Sequence, residues 1–163
     1  MFEPLKYAVF DKLVDADKHN FAFKDLYFNL FLQPHQFKRG KQHCATFVKQ
    51  RLGKFNRRVD GFIIYYGTIK VFPQTITKGI QGGVHLRAKV DVGVFLASST
   101  NPFESKIVRI EDNFAIGKIC GIETRYDLKG TRSTISVGQK VKSIKLKYSE
   151  RGGISTLTCA QVK

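Results

Sequence analysis

Alternating hydrophobic and polar positions predict strands along most of the chain. Residues 84–95 alternate with a period of two, which places the apolar side chains on one face of a half-buried strand. The segments 25–33 and 61–72 are rich in aromatic and β-branched residues and are also predicted to be strands. Pro34 ends the first of these, because proline has no amide hydrogen to donate to a neighbouring strand. The turn-rich residues 73–83 separate the strands at 61–72 and 84–95 and predict a long hairpin, whose second strand is long enough to be bent or bulged at Gly93.

Two segments have the spacing of an amphipathic helix. Between residues 41 and 55 the apolar side chains recur three or four positions apart, which predicts one buried face. That face consists of Cys44, Phe47, Val48, Leu52 and Phe55. Cys44 is therefore expected to be a small core residue. A shorter helix near the start is predicted from Tyr7, Phe10, Leu13 and Val14.

The pattern changes after residues 97–103, which are small and polar and predict a linker. Short candidate strands follow at 106–112, 113–122, 139–149 and 153–162. In the third of these, Ile144, Leu146 and Tyr148 alternate with Lys145 and Lys147, and residues 150–153 predict a hairpin turn. About five short strands in this length are typical of a small closed barrel of the oligonucleotide-binding (OB) type.

The net charge narrows the choice of partners. The chain of 163 residues carries 28 Lys and Arg against 13 Asp and Glu, giving a charge of +15. Such an imbalance favours a polyanionic partner, whether nucleic acid, an anionic membrane or an acidic protein. Within residues 27–103 the only acids are Asp60 and Asp91.

Several classes of site are not indicated by the sequence. Three widely spaced cysteines do not predict a disulfide framework, and reduced thiols in an intracellular protein are the simpler interpretation. No His or Cys pairs have the compact spacing of a zinc site, and no signal peptide or membrane span is predicted. No motif of nucleophilic or phosphate-transfer catalysis is found, so we expect no catalytic residues, metal or cofactor.

The order of elements and several motifs resemble the stalk subunits of RNA polymerases. Residues 30–40, LFLQPHQFKRG, resemble the family's strand followed by a proline corner. Residues 47–72 resemble its helix running into a glycine-led strand, and their KQ-x-L…K-F-N…V-x-G arrangement is most similar to the RNA polymerase I member. Residues 113–123 and 136–148 resemble two barrel strands of the family.

The resemblance implies an α+β fold with two domains. A tip-associated, RNP-like α/β domain would span 26–96, a linker 97–103 and an OB/S1-like barrel 104–163, preceded by an N-terminal extension at 1–25. End loops of the first domain would dock on the polymerase core subunits. The docking residues expected from these loops are Pro34, Phe37, Thr77, Gly79, Ile80 and Gly82.

The function implied is that of a non-catalytic subunit of DNA-directed RNA polymerase I, located in the nucleus and nucleolus. The family's stalk helps to receive the transcription initiation factor at ribosomal RNA promoters and usually pairs with a smaller stalk subunit. Its barrel lies near the RNA exit and contacts the emerging transcript.

The barrel is also predicted from its own residues to bind single-stranded RNA weakly, because lysines alternate with apolar positions along its strands. A solvated outer sheet face would have the same pattern. Phe114 or Tyr126 is a candidate to stack on a base. The full set expected to bind RNA is Phe114, Lys118, Arg125, Lys140, Lys142, Lys145 and Lys147. A second group of cations lies on the predicted helix and just after it, namely Lys49, Arg51, Lys54, Arg57 and Arg58.

Two alternatives share most of these features. A stalk subunit of RNA polymerase II or III would have the same fold and join a different core. A free-standing RNA-binding protein with an S1-like barrel would need no polymerase. A basic enzyme is the least favoured interpretation, since the sequence contains no catalytic motif.

Overall fold

The computed structural model describes residues 2–72, 75–77, 82–128, 135–151 and 154–162. These residues form a mixed α+β fold with two α-helices and two β-sheets. The first sheet contains β1 (Phe21–Leu32), β2 (Phe55–Asn56), β3 (Gly61–Val71), β4 (Thr75–Thr77) and β5 (Gly83–Phe95). The same part of the chain forms α1 (Tyr7–Ala16), a 3-10 helix (Pro34–Arg39) and α2 (Gly40–Lys49). The second sheet contains β6 (Phe103–Ile110), β7 (Phe114–Ile119), β8 (Ile122–Asp127), β9 (Lys140–Arg151) and β10 (Ile154–Gln161).

The long strand β5 is the centre of the first sheet, between β1 and β3. Its even-numbered side chains from Val84 to Val94 are all buried, so the alternation in the sequence is confirmed. They form one face with Leu26 and Phe28 of β1, and α2 covers this face with the fully buried Cys44 and Val48. Burial also raises the pKa of the Cys44 thiol.

Helix α1 covers part of the opposite face of the same sheet. Its Phe10 is fully buried and stacks against Tyr65 at a centroid distance of 5.9 Å. The ring lies over Gly93, where a Cβ atom would come within 2.6 Å of it. The irregularity predicted near Gly93 lies on the neighbouring strand, since the register of β3 shifts between Ile63 and Tyr65. We call residues 2–96 the sheet half.

Two element boundaries differ from those predicted. Strand β1 begins at Phe21, four residues early, so part of the segment assigned to an N-terminal extension belongs to the sheet. Helix α2 ends at Lys49, and Phe55 at the end of its predicted stripe lies in β2 instead. Beyond the helix, Gly53, with φ of 73°, turns the chain back, and its amide donates to the Ile63 carbonyl of β3 at 2.8 Å.

The second sheet closes into a five-stranded barrel with the order β10-β8-β7-β6-β9. Strands β6, β7 and β8 form an antiparallel meander, and β10 returns to pair with β8 in parallel. Strand β9 closes the circle by pairing with both β6 and β10. The hairpin between β7 and β8 was not predicted. Its turn, Cys120–Gly121, has positive φ at both residues, which matches the tight turn that joins adjacent strands.

The interior of the barrel contains a polar cluster. The buried Tyr126 hydroxyl is hydrogen-bonded to Ser105 Oγ and, at 2.7 Å, to Ser143 Oγ. Because Ser143 points inward, the predicted apolar face of β9 is wrong at Leu146. A β-bulge there leaves Leu146 as the extra residue, and it is 61% exposed.

The predicted linker is a packed joint between the two halves. The Asn20 side chain is fully buried and donates to the Pro102 carbonyl at 3.2 Å and to the Asp17 carboxylate at 2.9 Å. Its side-chain oxygen accepts from the Ser98 amide at 3.0 Å, and its backbone carbonyl accepts from the Leu96 amide at 2.8 Å. These bonds fix the path of the chain from β5 to β6.

Aromatic rings fill the space beneath that joint. Phe95 meets Phe103 edge-on at 5.2 Å, and Phe55 stacks on Tyr148 of the barrel at 4.6 Å. Phe62 is fully buried among these rings, and its ring centroid lies 5.9 Å from that of Tyr148. One hydrophobic cluster therefore continues from the sheet half into the barrel.

Candidate nucleic-acid interface

The outer face of the barrel has a depression of about 710 Å³. It lies across β7, β8, β10 and the second half of β9, whose outward side chains form its floor. Cations, hydroxyls and apolar groups alternate there because each strand directs every second residue outward. We call this depression the barrel groove. Its lining includes Phe114, Ile116, Glu123, Arg125, Asp127, Lys147, Ser149, Arg151, Ile154, Thr156 and Thr158.

Within the barrel groove, the contact most typical of a nucleic-acid site is between an aromatic ring and a guanidinium. The Arg125 guanidinium carbon lies 3.9 Å from the centroid of the Phe114 ring, within the range of a cation–π interaction. Phe114 is half-buried and Arg125 is exposed. A base is able to stack on either planar group, and the cation attracts the phosphate backbone.

Three of the predicted RNA-binding residues meet in the barrel groove, namely Phe114, Arg125 and Lys147. Lys118 lies outside it, in a second depression described below. Tyr126 was a candidate to stack on a base, and that interpretation is wrong. Tyr126 is 2% exposed and bonded within the barrel, so no base can reach its ring.

The remaining predicted lysines lie elsewhere on β9. Lys140 and Lys142 belong to the half of the strand that pairs with β6, and the Lys140 amine lies 3.9 Å from the Glu104 carboxylate. Lys145 is half-buried, and its backbone amide donates to the Ser98 carbonyl at 3.1 Å. None of the three lines the barrel groove, because Lys140 and Lys142 lie beside β6 and the bulge at Leu146 puts Lys145 and Lys147 on different faces of β9.

The predicted docking residues lie at the end of the first sheet farthest from the barrel. Pro34 and Phe37 are in the 3-10 helix that follows β1, and Thr77 pairs with Gly83 across β4 and β5. Gly82 immediately precedes β5 and has a φ of 40°. Gly79 and Ile80 lie outside the described residues.

This same end exposes several large apolar side chains. Phe31 is 47% exposed, and Phe37, Val71 and Phe72 are also partly exposed. The end of β1 and the end of β3 flank the start of β5, so these side chains belong to one end of the sheet. We call this region the tip. Exposed apolar side chains of this kind are common on surfaces that bind other proteins.

The cations that follow α2 have different roles. The Arg51 guanidinium donates to the Phe47 carbonyl at 2.9 Å and covers the Phe47 ring at 3.3 Å. Arg58 donates to the Tyr27 carbonyl at 2.8 Å. Both are held by the sheet half, whereas Lys49 and Lys54 line the second depression.

Within the described residues, no three His, Cys, Asp or Glu side chains are grouped so as to hold a metal ion. Burial raises the pKa of the Cys120 thiol to about 11 and that of Cys159 to about 12, so both are protonated at neutral pH. In the part of the chain that is described, no helix has the length and apolar character needed to cross a membrane.

Comparisons with known proteins do not place the chain in a family. No protein-family model matches it, and no curated protein sequence matches it. A function for this protein is therefore proposed from its surfaces.

Sequence analysis missed several residues of these surfaces. Arg151 was assigned to a turn, yet it lies in β9 and lines the barrel groove. Ile154, which is 62% exposed, faces it across the β9–β10 ladder. Arg151 lies four residues after Lys147, and this spacing is the signal that would have placed both on one face of the strand. Asn20 has no such signal, because its partners are distant in sequence.

Proposed function

We propose that this protein is a non-catalytic stalk subunit of a nuclear RNA polymerase, most similar to that of RNA polymerase I. The tip docks on the polymerase core, and the barrel faces the emerging RNA. The observation that carries the proposal is the separation of two surfaces, one with exposed Phe and Val side chains at the tip and one with a cationic and aromatic groove on the barrel.

The finer fold assignment supports this proposal. We assign the barrel to the OB type, because a three-stranded meander, a parallel β8–β10 pair and closure by β9 are the pairing expected of that fold. We assign the sheet half to a tip-associated, RNP-like domain. A sheet with a covering helix, followed by a barrel, has the order expected of a stalk subunit.

The packed joint also fits a subunit that must hold its barrel at a fixed place in a larger assembly. Asn20 and the rings around Phe62 fix the barrel relative to the sheet half. A barrel held in this way keeps its groove at a constant distance and direction from the docking tip. A flexible linker would not place the groove near a particular exit channel.

The barrel groove is suited to weak RNA binding without sequence preference. Phe114 and Arg125 provide stacking surfaces, and Lys147 and Arg151 provide charge for the backbone. In the cell we propose a nuclear and nucleolar location, with the initiation factor and a smaller stalk subunit as further partners.

The assignment is tested by affinity purification of the tagged protein from its own cells. We expect the large subunits of RNA polymerase I to co-elute in stoichiometric amount. A Phe31→Ser/Phe37→Ser variant at the tip should lose them, whereas an Arg125→Gln variant should retain them. Recovery of RNA polymerase II or III subunits would reassign the chain, and recovery of no polymerase would reject the proposal.

A free-standing RNA-binding protein is the second candidate, and the Phe114–Arg125 pair favours it equally. In that case RNA would be recovered without polymerase. Under either candidate the affinity should fall steeply with salt, because binding releases counterions from the RNA. An affinity independent of salt would contradict RNA binding by the barrel.

A further inference from the structure

A second depression, of about 690 Å³, lies where the barrel meets the sheet half. From the sheet half it is lined by Phe2, Lys49 and Lys54, and from the barrel by Lys118. We call it the joint groove. Glu123 and Ile154 line both this groove and the barrel groove. The two depressions are therefore adjacent and share one edge.

We propose that a single-stranded nucleic acid bound in the barrel groove continues through the joint groove onto the end of α2. The strand would pass from Phe114 and Arg125, across Ile154, to Lys118, Lys49 and Lys54. This inference extends the RNA contact proposed above and rests on it, but it does not depend on which polymerase the protein joins.

Charge supports a polyanion along the whole path. The barrel groove has Arg125, Lys147 and Arg151, and the joint groove has Lys49, Lys54 and Lys118. The carboxylates on the path are Glu123, which is half-buried at the shared edge, and Asp127 near Phe114. Among the described residues that line each groove, cations therefore outnumber carboxylates, and they do so on both sides of the shared edge.

One wall of the joint groove is closely packed around Phe2. Phe2 packs between Gly53 and Gly121, where added Cβ atoms would lie 2.3 Å and 2.7 Å from its ring. Both glycines also have positive φ, so a side chain at either would be strained as well as blocked. A groove that is already formed binds without the cost of ordering its walls.

A single strand fits these grooves better than a duplex. Phe114, Ile154 and Phe2 place apolar surface at intervals between the cations, which suits unpaired bases. A duplex would present only its phosphates, and these apolar groups would have no partner.

The test compares the binding of two lengths of RNA by the full chain. Fluorescein-labelled oligouridine of about 6 nucleotides is long enough for one barrel, and one of about 16 nucleotides is long enough to continue beyond it. In the Lys49→Gln/Lys54→Gln variant, we expect affinity for the longer RNA to fall about tenfold at low salt, with affinity for the shorter RNA unchanged. The salt dependence for the longer RNA should also become shallower.

A matched control removes the same charge elsewhere. Lys12 and Lys18 are exposed and line neither groove. The Lys12→Gln/Lys18→Gln variant should therefore lower the affinity for both RNAs equally and only slightly. If the two double variants behave alike, the joint groove is not part of the path and the inference is wrong. If wild-type protein binds neither RNA, the proposed RNA contact itself fails, which is a different result.

Discussion

The sheet half and the barrel bury their hydrophobic residues in different ways. Beneath α2 the sheet half has a cluster of its own, which includes Leu26, Val48 and Leu86. The barrel has no separate cluster among the described residues, because its apolar interior continues into Phe62 and Phe95 of the sheet half. Part of the barrel interior is also occupied by the polar side chains around Tyr126. The barrel therefore depends on the sheet half more than the sheet half depends on the barrel.

The largest effect is expected at Phe95, which is fully buried between the two halves. Phe95→Ala should lower the free energy of unfolding by about 3–5 kcal/mol, because the ring leaves a cavity among rigid neighbours. Urea unfolding combined with hydrogen exchange would measure this. We expect barrel amides to lose at least as much protection as those of the first sheet.

The matched comparison for that variant is Leu86→Ala, beneath α2. It should destabilise the protein by about 2–5 kcal/mol, with the first loss of protection in the sheet half. The proposed dependence of the barrel on the sheet half would be wrong if Phe95→Ala left the barrel amides fully protected.

A smaller effect is expected at Asn20. Asn20→Ala removes the bonds to Ser98 and Pro102 while leaving those backbone groups in place, at a cost of about 1–3 kcal/mol. Thermal unfolding would show the loss, and Asn29→Ala on the exposed face of β1 serves as the control, with little change. Equal stability of the two variants would mean that Asn20 does not fasten the joint.

Within the barrel, Tyr126→Phe tests the polar cluster. The change leaves the Ser105 hydroxyl without its bond, whereas Ser143 keeps one to the Val141 carbonyl, so we expect a loss of about 1 kcal/mol. Chemical denaturation measures this difference. An unchanged or raised stability would show that the cluster contributes nothing to holding the barrel.

The smallest effect concerns Cys120 beside the joint. Burial raises the pKa of its thiol to about 11, so alkylation of the native protein by iodoacetamide should be slow at pH 7 and should accelerate up to about pH 11. Since the folded pKa exceeds that of the unfolded thiol, this thiol favours folding at low pH, and that contribution is lost as pH rises from about 8.5. A rate that levels off near pH 8 would contradict burial of this thiol.

Sequence patterns predicted the sheet half better than the barrel, for physical reasons. Strand β5 alternates strictly because a purely apolar layer and a helix cover one of its faces. In β9 the inward position is taken by Ser143, which is satisfied by Tyr126, and a bulge places Leu146 outside. A pattern of hydrophobicity alone contains neither the partner of a buried hydroxyl nor the site of a bulge.

The candidate site was predictable only in part for the same reason. Phe114, Arg125 and Lys147 are recognisable as aromatic and basic residues on predicted strands, and the structure places them in one groove. Lys118, Lys49 and Lys54 become one site only when the two halves are packed together. The residues that fix this packing, Asn20 and Phe2, contact partners far away in the sequence.

The proposed function requires that the tip and the barrel have different partners, with protein at the tip and RNA at the barrel. Cross-linking mass spectrometry of the native purified assembly tests it directly, because exposed lysines are present in both places. We predict that Lys38 and Lys41 near the tip cross-link to polymerase subunits, while Lys118 and Lys147 cross-link to RNA. Cross-links from Lys118 and Lys147 mainly to polymerase, with none from Lys38 or Lys41, would contradict the account.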